Sequence, residues 1–178
     1  MKAAVVVIDM LNDFVTGSLK CERAQRIIPN LKLLIKTARK KKVPVVYVGD
    51  AHLDSDNELN VWGPHGMKGT EGAKTIPELA PAEGDYVLEK RTYSSFFETG
   101  LDPLLRNKGV DTVIVTGLHT HICVRHTSAD AFFRSYKVIV PEDCVDSFTE
   151  QDHAKGLEYL KMAYKADIPK AAELVKKL

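Results

Sequence analysis

The chain has 178 residues, 44% of them hydrophobic, with 25 basic against 24 acidic side chains and a formal net charge of +1. That length suits one domain, residues 1–178, with a sizeable core, and the balanced charge supplies no field to draw nucleic acid or an anionic membrane. No apolar stretch nears the ~20 residues of a membrane helix, the N-terminus lacks a signal peptide's order, and Cys21, Cys123 and Cys144 show no Cys-x-x-Cys spacing, so a cytoplasmic protein with free thiols is expected.

Ala3 to Ile8 is a continuous apolar run, as expected of a central strand covered on both faces, and Asp9 ends it. Ile28, Leu31, Leu34, Ile35 and Ala38 then form the stripe of an amphipathic helix over Ile27 to Lys42, with Pro29 in its first turn. The basic run Arg39 to Lys42 suits the solvated C-terminus of that helix. Val43 to Val48 reads as a second buried strand. Gly49 to Lys74 has almost no periodicity but carries Asp50, His52, Trp62 and His65, and an aperiodic stretch this long in a compact domain is usually functional. Pro77 to Asp85 is a connector, Tyr86 to Leu88 a third strand, and Leu101 to Lys108 a helix stopped by Gly109.

Thr112 to Thr116 is a β-branched fourth strand, Gly117 permits a sharp turn, and a helix begins near Ile122. Cys123 therefore opens a helix at the carboxyl end of a strand, where the helix dipole favours a thiolate and open α/β sheets place ligands. Lys137 to Val140 is a fifth strand, Glu150 to Ala163 a helix, and Ile168 to Leu178 a last amphipathic helix. This alternation predicts an α/β three-layer sandwich, a mainly parallel sheet with helices on both faces.

Asp9, Lys90 and Cys123 each follow a strand, and a parallel sheet gathers such ends at one edge. A carboxylate to take a proton, a cation to hold it ionised and a thiol suit covalent acyl transfer. Singly they have plainer readings: a turn cap, a surface charge beside Glu89 and Arg91, an inert buried thiol. Together, Asp9-Met10-Leu11-Asn12-Asp13-Phe14, Lys90-Arg91-Thr92-Tyr93-Ser94-Ser95-Phe96 and Gly117 to Val124 with Asp130-Ala131 are ordered motifs spread over nearly the whole chain. This pattern resembles the isochorismatase-like cysteine hydrolases, the group containing nicotinamidases and N-carbamoylsarcosine amidases.

The resemblance implies a catalytic triad of Asp9, Lys90 and Cys123, with the backbone N–H groups of His119 and Cys123 as the oxyanion hole beside a cis peptide at Leu118-His119. Isochorismatases proper lack the cysteine, so its presence points to amide cleavage. Asp50-Ala51-His52 followed by His65 offers two imidazoles and a carboxylate for a divalent metal. On spacing alone, incidental loop histidines explain it equally well. The nicotinamidase pattern Asp-x-His then Trp-x-x-His implies a metal, zinc first, with iron or manganese able to use the same ligands. Leu11, where many members have glutamine, and Gly66-Met67-Lys68 after the last candidate ligand depart from that pattern.

Phe14, Trp62 and Tyr93 are candidate walls of a pocket for a planar substrate, or simple loop packing. Arg125 is a candidate reader of a substrate carboxylate, as is His126, unless either faces solvent or another subunit. His119-x-His121-x-Cys123 also has the look of a soft-metal site, although an elbow there would splay the side chains. The expected activity is hydrolysis of a small primary amide or N-carbamoyl compound through a Cys123 thioester, releasing ammonia, in a homo-oligomer. Isochorismatase-type ether hydrolysis and a redox or binding protein with a reactive thiol are the alternatives.

Overall fold

Six residues lay out the architecture of the computed structural model, which describes residues 1–178. Every side chain of β1 (Ala3–Ile8) is buried. Successive strand side chains point to opposite faces, so Val5 and Val7 enter one core while Ala4, Val6 and Ile8 enter the other. The remaining elements follow as α1 (Asn12–Val15), α2 (Ile28–Lys40), β2 (Val45–Asp50), α3 (Leu59–Trp62), β3 (Tyr86–Lys90), α4 (Leu101–Asn107), β4 (Thr112–Leu118), α5 (Cys123–Phe133), β5 (Lys137–Ile139), β6 (Val145–Asp146), α6 (Glu150–Tyr164) and α7 (Ala171–Leu174).

The stripe of α2 covers the first core together with Ala171 and Leu174 of α7. Leu101 and Leu105 of α4, Val124 and Ala131 of α5 and Leu160 of α6 cover the second. All strand pairs are parallel, in the order β3-β2-β1-β4-β5, with β6 lying along the end of β4. From β1 the chain builds outward to β2 and β3, then crosses back to β4 and β5. The carboxyl ends of β1 and β4 therefore flank the switch in winding direction, where such sheets bind ligands.

Several boundaries differ from the expectation, each for a tertiary reason. β4 runs on to Leu118, and Gly117 lies within it at φ +99°, paired with Ile8. A Cβ on Gly117 would lie 1.9 Å from the Ile8 carbonyl oxygen, so the glycine answers a close strand approach rather than the turn itself. β3 extends to Lys90 because it pairs with β2 through Asp50. Only Ala171–Leu174 of the tail is α-helical, and α1 and β6 are too short to leave a periodic signal. No helix is long and apolar enough to cross a membrane.

Candidate active site

β1, β3 and β4 deliver Asp9, Lys90 and Cys123 to one buried point. Lys90 Nζ lies 2.9 Å from Asp9 Oδ2 and 3.8 Å from Cys123 Sγ. It also donates to Asp50 Oδ1, its neighbour in the β2–β3 register. Asp9 leaves β1 at φ +52°, a left-handed conformation costing a non-glycine residue about 1–2 kcal/mol. It is held there by its N–H to Val48 O at 3.2 Å and by Asp50 N–H to its Oδ1 at 3.1 Å.

One ammonium thus serves two carboxylates and a thiol in a dry pocket. Burial, and next the Asp50 charge, lift Asp9 to about 7 against the pull of Lys90. Burial would also raise Asp50, but Lys90 and then His52 outweigh it and hold that carboxyl at about 2. Burial pushes the Cys123 thiol well above its ordinary value; Lys90 opposes this, and Asp9 and Asp50 reinforce it. The expectation of an easily ionised thiol is therefore corrected. Cys123 does open α5, but desolvation and two facing carboxylates outweigh the helix dipole and one lysine. Burial therefore favours the protonated thiol at Cys123, and Lys90 Nζ stands between it and Asp9.

Between β4 and α5 the chain turns through the cis peptide Leu118-His119. Thr120 N–H donates to Asp146 O at 2.9 Å, and Ile122 and Val124 donate to His119 O at 2.9 and 3.2 Å. The N–H groups of His119 and Cys123 are left without a carbonyl partner, as an oxyanion hole requires. α6 presses on this elbow at Gly156, where a Cβ would lie 2.9 Å from Thr120 Cγ2. His121 turns away to Ser147 Oγ at 2.9 Å while His119 packs between Phe14 and Phe148, so the soft-metal alternative is not assembled.

Asp50, His52 and His65 do converge, and Glu58 joins them: one donor atom from each lies within 4.8 Å of the others. His52 Nε2 is 3.5 Å from Asp50 Oδ2 and 3.7 Å from Glu58 Oε2, and His65 Nε2 is 3.8 Å from Asp50 Oδ2. Two metal bonds of about 2.1 Å at a tetrahedral angle place their donors about 3.4 Å apart, close to this spacing. Asp50 Oδ2, His52 Nε2 and Glu58 Oε1 are buried without a hydrogen-bond partner, so the residues fit a divalent cation. The outer ring nitrogens are already used, His52 Nδ1 on Asp56 at 3.0 Å and His65 Nδ1 on Gly63 O at 2.7 Å, which aims both Nε2 atoms inward. Arg91 in turn grips Asp56. Asp13 receives Gly66 N–H at 2.9 Å and so fixes the backbone beside His65.

Phe14, Trp62 and Tyr93 line a narrow cavity that Cys123, Asp50, Glu58, His65 and His119 also reach. Trp62 Nε1 donates to the Tyr93 hydroxyl at 3.2 Å. Arg125 does not line the cavity; its guanidinium lies over the Tyr159 ring, 3.7 Å from the centroid. Two positions past Cys123 is about 200° around the helix, which turns it toward α6 instead. His126 is exposed and bonds Ile122 O. Sequence reasoning missed Glu58 and Phe148. Glu58 sits between His52 and His65 in the aperiodic loop, a chemical hint without a spacing rule, whereas Phe148 is brought in from after β6 with no local signal.

Comparison with known proteins places this arrangement. The isochorismatase domain pattern matches residues 3–173. The chain is similar to the crystal structure of an N-carbamoylsarcosine amidase from Thermoplasma acidophilum, with 43% identity, a TM-score of 0.91 and coverage of 96% of this chain and 97% of that one. It is similar to a nicotinamidase/pyrazinamidase from Bacillus subtilis at 31% identity, TM-score 0.91, covering 96% and 100% of the two chains. A pyrazinamidase from Pyrococcus horikoshii in complex with zinc matches at 27% identity and TM-score 0.89, covering 96% and 99%.

Proposed function

The chain belongs to the isochorismatase family of hydrolases, and from that premise we propose that it is a cysteine amidohydrolase cleaving the C–N bond of a small, uncharged primary amide of the nicotinamide type. The observation that carries this reading is Lys90 Nζ standing 2.9 Å from Asp9 and 3.8 Å from Cys123. Asp9 takes the thiol proton as Sγ attacks the amide carbon. The N–H groups of His119 and Cys123 hold the resulting oxyanion, and Asp9 returns the proton to the departing ammonia. Water, deprotonated by Asp9, then cleaves the Cys123 thioester to the carboxylic acid and restores the thiol.

The cavity's charge supports an uncharged substrate. No lysine or arginine lines it, and Lys90 behind it already serves Asp9 and Asp50. The carboxylate of a ureido acid such as N-carbamoylsarcosine therefore finds no free cation. Asp50, His52, Glu58 and His65 would hold a divalent ion, zinc by the donor set; when bound, it supplies a Lewis-acidic centre whose charge offsets the two carboxylates.

The test is ammonia release from nicotinamide and from N-carbamoylsarcosine by the native protein and by Cys123→Ala. Turnover of nicotinamide that disappears in the variant is the expected result. Preference for the ureido acid would overturn the substrate class, and activity surviving in Cys123→Ala would overturn the nucleophile.

A further inference from the structure

Only Thr120, His121 and Ile122 separate His119 from Cys123, whose N–H groups face the reacting carbonyl. Two of these three residues carry polar side chains, and each is tied to a distant part of the chain. Thr120 is fully buried, and its Oγ1 shares a 2.9 Å hydrogen bond with His153 Nδ1 on α6. His121 Nδ1 meets Ser147 Oγ, also at 2.9 Å, on the segment after β6. The same two elements hold the elbow's backbone. Leu118 pairs with Asp146 in the β4–β6 register, and Thr120 N–H donates to Asp146 O. Gly156, one turn on from His153, lies so close that a Cβ would stand 2.9 Å from Thr120 Cγ2 and 3.1 Å from His121 N. Asp146 Oδ1 accepts from Arg23 Nε at 2.8 Å, and Arg23 reaches on to Glu150 in the first turn of α6 at 2.7 Å, so one guanidinium joins the two supports. Burial lowers the pKa of both His121 and His153, and neutral imidazoles make both side-chain ties.

We propose that Thr120 and His153 are positioning residues of the oxyanion hole, a clamp from α6 that sets the separation of the His119 and Cys123 N–H groups, with His121–Ser147 as its second tie. This rests on the amidase reading above. Oxyanion donors act only when they stand about 2.7–3.1 Å from the place where the charge develops, and groups of this kind must be held to within about 0.5 Å by supporting bonds. The elbow's own backbone fixes the carbonyl side of His119, through Ile122 and Val124 N–H on His119 O. The Thr120 hydroxyl fixes the next residue from the α6 side, so the two donors keep one spacing while charge builds on oxygen. Neither Thr120 nor His153 lines the cavity. The pair therefore acts through the backbone, on the transition state and not on the bound amide.

The experiment uses two probes of Cys123 that differ in whether an oxyanion forms. Pyridine-3-carbaldehyde adds the thiol: the S–C bond forms, the carbonyl π pair moves to oxygen, and the thiol proton passes to Asp9. Iodomethane alkylates the same sulfur with loss of iodide and places no charge on oxygen. The aldehyde concentration that half-protects Cys123 from iodomethane, read by mass spectrometry of the Cys123 peptide, measures the oxyanion-bearing adduct without turnover. His153→Ala, which touches neither hydrophobic core, should weaken this protection about tenfold and lower kcat for nicotinamide by a similar factor at unchanged KM. Its iodomethane rate without aldehyde should equal that of the native protein. His153→Asn, whose amide can stand near the Nδ1 position, should recover most of the loss, and Thr120→Val should repeat it. Equal protection in native protein and His153→Ala, an aldehyde that protects neither, or an iodomethane rate that falls in step with kcat assigns the pair to general support of the fold and overturns the proposal. Protection that weakens in His153→Ala while the native protein releases no ammonia from nicotinamide sustains the positioning role and defeats the amidase reading. Turnover of nicotinamide with protection unaltered by the variant does the reverse.

Discussion

Lys90→Met tests the electrostatic reading most directly, because it keeps the side chain's length and removes the one charge shared by Asp9, Asp50 and Cys123. Two buried carboxylates then face each other without their cation, and breaking a buried ion pair by deleting one partner costs about 3–5 kcal/mol. For a chain of this size each kcal/mol shifts Tm by about 2–4 °C, so the variant should melt about 6–20 °C lower at pH 8, measured on chelator-treated protein. The sign of the pH dependence follows from the carboxyls. Lys90 lowers both carboxyls, so removing it should raise Asp9 further above its ordinary 3.8 and lift Asp50 from about 2, and the folded variant should then bind more protons above pH 3.8 than the unfolded chain does. Stability contributed by these groups is then lost as pH rises through the folded values and regained on acidification. In the native protein Asp50, held at about 2, behaves oppositely, its contribution being lost only as pH falls through that value. The Tm gap between variant and native protein should therefore shrink from pH 8 to pH 5. A gap equivalent to less than about 1 kcal/mol at pH 8, or an equal gap at both pH values, would refute the claim that Lys90 holds these carboxylates ionised.

Amide hydrolysis should show an acid limb near pH 7, with kcat/KM falling about tenfold per unit below it as Asp9 takes up a proton, and a flat profile from pH 5 to 8 would remove Asp9 as the base. Glu58→Gln should weaken zinc binding at least about tenfold by calorimetric titration and reduce the zinc-induced rise in Tm; unaltered affinity would take Glu58 out of the ligand set. Gly117→Ala drives a Cβ to 1.9 Å from Ile8 O at φ +99° and should cost about 3 kcal/mol or more in denaturant unfolding. A loss within about 1 kcal/mol would mean that β1 and β4 separate easily.

The central strands, the stripe of α2 and the α/β class were legible because burial imposes period 2 or 3.6 on the residues that carry it. Asp9, Lys90 and Cys123 were legible partly because each ends or follows a strand and a parallel sheet collects strand ends at one edge, and as a set because the motifs around them resemble a known hydrolase family. Asp50, His52 and His65 were visible as donor types in an aperiodic loop, but Glu58 in that same loop obeys no period and joins them only when the loop folds back on itself through His52 N–H to Gly66 O and Lys68 N–H to His52 O.

The sequence by itself determined which side chains are apolar, which can move a proton or hold a metal, and where strands give way to loops. Only the tertiary structure decided the state of those groups. Whether Cys123 rests as thiol or thiolate depends on desolvation and on the summed fields of Lys90, Asp9 and Asp50, which come from three separate strands. Arg125 faces Tyr159 instead of substrate because helical rotation carries it away from Cys123, and His119 lies without a partner because Phe14 and Phe148, far apart in the chain, close around it. Such properties are sums over neighbours distant in sequence, and no local pattern of residues encodes them.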